Sequence, residues 1–182
     1  FGTSLATAEV ASTFTEDFVL EEISREADEK FRLALQMAKL EDDISSCFRQ
    51  TAAYRFEQEL HAEFRRQGYL PKEEIGRLFQ KHMRSYMGPA IEESPGSANW
   101  WVYWSHFRNF FYVYSYASGL LISKSLQASV KKDPAHMGKV KDFLRAGNSD
   151  SPKNIFAKLG VDITNPAFWR QGLVEIEALL RK

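Results

Sequence analysis

Residues 99–121 read NWWVYWSHFRNFFYVYSYASGLL, and the fold turns on how that stretch is taken. Ten of the seventeen residues from Trp100 to Tyr116 are aromatic, three of the four tryptophans fall there, and His106 sits among them. Phe107, Phe110, Tyr114, Ala117 and Leu121 recur at helical spacing, which predicts a helix with a core-facing stripe. Ala117, Ser118 and Gly119 are small enough to let a second helix close in at that turn. The stretch supports two readings. As packing, it is an aromatic core helix. As a site, its polar tips matter: buried tyrosine hydroxyls need partners. Four tyrosines and an imidazole in one short stretch would line a cavity suited to a polar ligand or a developing negative charge.

Outward from this stretch, nearly everything reads as helix. Ala6–Leu20 is apolar at Ala8, Ala11, Phe14 and Phe18; Ser24–Ile44 carries a line of Phe31, Leu35 and Ala38. Phe48, Ala52, Phe56, Leu60 and Phe64 step by four, a slowly drifting core ridge that Gly68 ends as a left-handed cap. Pro71 opens the next helix, which stops at Gly88-Pro89. Glu92–Ala98 has no periodic signal and is the best internal break, giving segments 1–97 and 98–182 of one continuous domain. Beyond the aromatic stretch, Asp133-Pro134 turns the chain into a short helix, and Ser151-Pro152 and Asn165-Pro166 start the last two. No strand alternation or repeat is present, so the predicted class is all-α.

Composition narrows function mainly by exclusion. The 182 residues balance 24 basic against 24 acidic side chains, which argues against nucleic acid or an anionic membrane as a partner. The single Cys47 rules out an internal disulfide and a cysteine zinc cluster, and fits a reducing, cytoplasmic setting. The longest apolar run, around Phe110–Ile122, is broken by Tyr and Ser and does not reach membrane-spanning length. The chain opens at Phe1 rather than Met, which reads as a natural start lying upstream.

Glu9 and Glu16 are two helical turns apart and share a face, with Ser12 and Thr13 between them. They are either solvated acids favoured by the helix dipole or a buried carboxylate ligand with a second carboxylate behind it. Glu57 and His61 lie four apart, close enough to pair, but a di-iron bundle wants Glu-x-x-His and Gln58 stands there. His82 on a basic face and His136 in a turn read as ordinary. There is no G-x-S-x-G and no phosphate-cradling glycine loop.

Residues 8–16, AEVASTFTE, resemble the A-E-x-A-S-T-F-N-E segment of oligoendopeptidase F, in the thimet-oligopeptidase superfamily of zinc peptidases. FRQTAAYRFEQELHAEFRRQGYLPKEEI (48–75), HFRNFFYVYSYASGLLISKSL (106–126), FLRAGNSDSP (143–152), LGVDITNPAFW (159–169) and QGL (171–173) resemble further segments of that family, in the same order. The resemblance implies that Glu9 is the third zinc ligand and that Glu16, the second acid of the motif, stands behind it. It implies that His106 lies near the scissile carbonyl and that Tyr112 and Tyr114 donate hydrogen bonds to the oxyanion. Of the two, Tyr114 shares the stripe of Phe107, Phe110 and Leu121, while Tyr112 lies about 160° away on an ideal helix.

The departures are equally informative. No histidine of the chain begins an H-E-x-x-H, the motif that supplies the family's other two zinc ligands and its general base, so that helix is expected upstream of Phe1. Thr15 stands where the family has Asn, and Asn109 or Phe110 where Pro is common. The resemblance therefore implies the C-terminal part of a zinc metalloendopeptidase acting on short oligopeptides, with the preceding part of the polypeptide as its partner. The alternative is a non-catalytic helical module that kept a peptide-holding wall; a structural bundle without ligand leaves the clustered His and Tyr unexplained.

Overall fold

Every regular element among the described residues is helical, as the periodicity predicts. The computed structural model describes Leu5–Arg181, with side chains from Glu9 onward; the expectations resting on Phe1 and on the Ala8 side chain lie outside it. The helices are α1 (Leu5–Glu26), α2 (Glu29–Ile44), α3 (Gln50–Gln67), α4 (Lys72–Met87), α5 (Tyr114–Lys132), α6 (Met137–Ala146), α7 (Pro152–Lys158) and α8 (Pro166–Leu180). A π-helical turn, Ser45–Arg49, leads into α3, and 3-10 turns cover Ser97–Val102, Ser105–Arg108 and Pro134–His136.

Local chemistry sets most of the ends. Ser151 and Asn165 accept from Asn154 N–H and Ala167 N–H, with Pro152 and Pro166 at the first helical positions. Gly68 ends α3 at φ +77°, its N–H on the Phe64 carbonyl, a conformation glycine alone adopts freely. The break between α1 and α2 comes later than the apolar pattern suggests: Asp28 Oδ1 accepts the Phe31 N–H at 2.8 Å and starts α2 there.

The chain divides into two compact units. One takes the chain up to Ile44 and from Ser118 onward; the other is Ser45–Ala117. In the first, α1 and α5 meet through polar groups above an apolar cluster of Val10, Phe14, Ile122, Leu126, Phe143 and Phe156. Gly119 permits the approach, since a Cβ there would stand 2.6 Å from Glu9 Cβ. Ser123 donates to the Val10 carbonyl (3.1 Å) and shares a hydrogen bond with the Thr13 hydroxyl, while Gln127 Nε2 donates to the Thr13 and Phe14 carbonyls. α2 departs from its predicted line: Phe31 and Ala38 are exposed, and the residues it buries are Lys39 and Asp43. The reason is electrostatic. Lys39 Nζ lies 3.0 Å from Asp43, 3.3 Å from Asp17 and 3.4 Å from Glu16; Lys124 Nζ lies 2.7 Å from Asp17 and 2.8 Å from Asp43.

The second unit is packed by rings. Phe56 of α3 meets Phe79 of α4 edge-on at 5.2 Å and Phe107 at 5.1 Å, and Trp104 stacks on Phe107 at 5.3 Å. The four-residue ridge of α3 is buried in its middle, at Ala52 and Phe56, and open at its ends, Phe48 and Phe64. Four residues turn about 400°, so each step drifts about 40° and the ends rotate out of the core.

The aromatic stretch is not one helix. Two 3-10 turns are followed by Phe110 and Phe111 in the left-handed region, at φ +38° and +58°, and α5 begins only at Tyr114. The stripe predicted from Phe107 to Leu121 is therefore interrupted, and Phe110 is 74% exposed. Consecutive aromatics lose rotamer freedom against the preceding helical turn, so so dense a run gains little from helix.

Candidate active site

The irregular segment before α5 brings three of the chain's hydroxyl and imidazole groups together. Tyr116 Oη and His106 Nε2 are 3.0 Å apart, and the rings of His106, Tyr112 and Tyr116 meet pairwise at 5.5–5.7 Å. Tyr112 and Tyr116 are four residues apart, so the turn entering α5 presents both to one side. Tyr114 points elsewhere: 39% exposed, it meets the Tyr54 ring at 6.4 Å. Of the predicted residues, the structure thus joins His106 to Tyr112 and sets Tyr114 apart. Tyr116 was missed from sequence, although its spacing from Tyr112 carried the signal.

Below this segment lies Glu57, wholly buried on α3. Its Oε1 accepts the Phe111 N–H at 2.5 Å, and His61 Nε2 approaches the same oxygen at 3.9 Å. Burial pushes the Glu57 carboxyl above its ordinary range, against the opposing pull of the Phe111 N–H and His61. The His61 ring faces Phe111 at 5.3 Å and Phe110 at 6.0 Å. Left-handed conformation at non-glycine residues costs about 1–3 kcal/mol each, so the Phe110–Phe111 turn is held by its surroundings. His82 is a partner of Glu59, at 2.6 Å, in a pairing shared with Lys81 that lowers the Glu59 carboxyl.

Glu9 and Glu16 both lie on α1 in the first unit. Glu9 is partly buried where α1 crosses Gly119, and its carbonyl accepts the Thr13 hydroxyl at 2.8 Å. Glu16 is occupied with Lys39. Burial alone would depress the Lys39 ammonium; Asp43, Asp17 and Glu16 together raise it above its ordinary range. A cleft of about 550 Å³ in this unit is lined by Asp17, Glu21, Lys39, Lys124 and Glu175 among others. Asp17 pairs there with Lys39 and Lys124, and Glu21 with Lys131, and none of the predicted site residues lines the cleft.

The chain matches peptidase family M3 over residues 2–175. The chain belongs to this family. It is 31% identical to the group B oligopeptidase PepB of Streptococcus agalactiae and to the oligopeptidase PepF of Bacillus subtilis, in each case over 98% of its own length. It spans only 31% and 28% of those two relatives. The solved structure of a Chlamydophila abortus protein described as a peptidase superposes with a TM-score of 0.88 over 98% of the chain and 30% of that protein, at 24% identity, and confirms the fold. The resemblance to the C-terminal part of oligoendopeptidase F thus holds along the chain.

Family M3 peptidases are zinc metallopeptidases. The residues described here do not by themselves make such a centre: no group of three or more His, Cys, Asp or Glu among them is placed to hold a metal ion. No helix among the described residues is long and apolar enough to cross a membrane.

Proposed function

We propose that this chain is the C-terminal part of a cytoplasmic zinc metalloendopeptidase that cleaves short oligopeptides, and that segments 1–97 and 98–182 belong to one catalytic domain. The observation that carries the reading is the His106–Tyr112–Tyr116 cluster, found on an irregular, strained segment of a family M3 chain. Phenol and imidazole N–H or O–H groups, held in place beforehand, stabilise the negative charge that grows on a carbonyl oxygen as an amide is attacked. Tyr112 or Tyr114, which face different ways, is the proposed donor and His106 orients the substrate carbonyl, with Tyr116 fixing the imidazole. Tyr114, open to solvent, is accessible to a peptide; Tyr112 is already beside His106.

Glu9 is the one metal ligand proposed within this chain, and Glu16 is read as the acid behind it. A catalytic zinc needs three protein ligands, so the other two and the general base are assigned to an H-E-x-x-H in the preceding part of the polypeptide. The chain alone is then expected to hold zinc weakly and to hydrolyse nothing. In the complete polypeptide, Glu9→Gln is expected to abolish stoichiometric zinc while leaving the helical spectrum unchanged; undiminished metal content would refute the assignment. His106→Ala, Tyr112→Phe and Tyr114→Phe test the donors. Loss of a true donor lowers kcat and kcat/KM together by about a hundredfold with KM little changed. Full turnover in all three, with peptide still bound, would favour the non-catalytic peptide-binding module.

A further inference from the structure

Phe110 and Phe111 are two consecutive bulky residues in a region of backbone space that L side chains avoid. Such a turn does not hold itself. Arg108 and Asn109 brace only what precedes it, by donating to the carbonyls of Val102, Trp104 and Ser105. From α3, the rings of Tyr54 and His61 pack on the turn's side chains, and the carboxylate of Glu57 reaches its backbone, accepting the Phe111 N–H from 54 residues away in sequence.

Glu57 is an expensive way to fill that space. It is wholly buried, and its Oε2 has no hydrogen-bond partner among the described residues. Packing alone would be served better by an apolar side chain, because a buried carboxylate loses its hydration and regains only part of it. What an apolar residue could not do is accept the Phe111 N–H. That N–H lies one residue before Tyr112 and five after His106, so the turn sets how the chain passes from the imidazole to both phenols.

We propose that Glu57 is a positioning residue for the His106–Tyr112–Tyr116 cluster, holding through the Phe111 N–H the strained turn on which the geometry of that cluster depends. The inference rests on the reading of the cluster as part of a peptidase site, but its test is separable from that reading. Three variants of the complete polypeptide are compared by hydrogen exchange and by steady-state kinetics on a peptide substrate. Glu57→Leu removes the acceptor. Glu57→Gln keeps an acceptor oxygen. Glu57→Leu with Phe110→Gly removes the acceptor but also relieves one strained residue, since glycine accepts positive φ at no cost and the Phe110 ring is mostly exposed.

In Glu57→Leu the amides of residues 108–113 are expected to exchange about tenfold faster than in wild type, with kcat falling by about tenfold and KM little changed. Glu57→Gln is expected within about twofold of wild type, since the acceptor is retained. Phe110→Gly is expected to recover most of both losses. The proposal is overturned if exchange over 108–113 rises no more than across α3 and α4, or if neither Glu57→Gln nor Phe110→Gly preserves the slow exchange. If exchange follows the expected order while turnover is indifferent to all three, Glu57 positions the turn and it is the catalytic reading of the cluster that falls.

Discussion

The two units bury different kinds of surface around the groups assigned to function. In the first, the helix that carries Glu9 is set by directional contacts along its length: Gly119 against the Glu9 Cβ, Ser123 and Gln127 on α1 carbonyls, and the Lys39–Asp43–Asp17–Lys124 ion pairs. In the second, His106 and the tyrosines sit over a core of edge-to-face rings, with a single buried carboxylate beneath. Hydrogen bonds and close helix approach fix register; rings fill volume and tolerate small rotations. A carboxylate meant for a metal needs the first kind of support, because a ligand tolerates little displacement. Donors meant for a charge that develops during reaction can be carried on a segment of irregular backbone, provided something pins it.

Phe56→Ala should be the most damaging change in the ring-packed unit. The side chain is wholly buried among Phe79 and Phe107, and its loss should cost about 4 kcal/mol in denaturant unfolding. A cost near that of an exposed residue would mean that the rings repack freely. The counterpart in the ion-paired unit is Asp43→Asn, which leaves Lys39 and Lys124 buried beside Asp17 with one carboxylate fewer. About 3 kcal/mol is expected. Replacing Lys39 with Met in the same chain should recover part of that loss, whereas additive costs would show that the charges are not coupled.

Gly119→Ala sharpens the contrast at smaller size. An added Cβ meets Glu9 Cβ at 2.6 Å, so α1 must shift, at about 1–3 kcal/mol. In the complete polypeptide the same variant should bind zinc more weakly, while the kinetics of the retained metal-loaded fraction stay normal. Weak metal binding caused only by unfolding would be exposed by a melting curve taken on the same sample.

The smallest effect is a slope. The Glu57 carboxyl is raised above its ordinary range by burial, against the pull of the Phe111 N–H and His61. Below about 4.5 it is protonated folded or unfolded and the extra stability is complete. As pH rises from there through the raised folded value, the unfolded chain ionises first and stability falls; above that value the curve is flat again. Glu57→Gln should remove this decline, and parallel wild-type and variant profiles would mean that Glu57 ionises as though solvated.

The all-α class, the prolines at helix starts, the Gly68 cap and the close approach at Gly119 were all legible in the sequence, because each follows from a local rule. What was not legible came from partners distant in sequence. Phe31, Leu35 and Ala38 looked like the buried line of α2, but Lys39 and Asp43 are buried instead, since Lys124 and Asp17 await them. The aromatic stripe failed for a related reason: helical spacing was counted through Phe110 and Phe111, whose left-handed backbone is sustained in part by a carboxylate on α3. The metal-ligand and oxyanion assignments rested on family resemblance, and no periodicity would have revealed them.

The close packing along α5 also bears on how the chain can vary in length. Gly119 lies under Glu9, Leu121 lies under Gly172 of α8, and Ser123 and Gln127 grip α1 over just nine residues of the helix. One inserted residue there would rotate everything beyond it by about 100° and undo these contacts together. Insertions and deletions among relatives should therefore gather between Gly88 and Gly96 or between Gly147 and Ser151, where no helix has to keep its phase. A grafted tag or a circular-permutation joint belongs in those same two places.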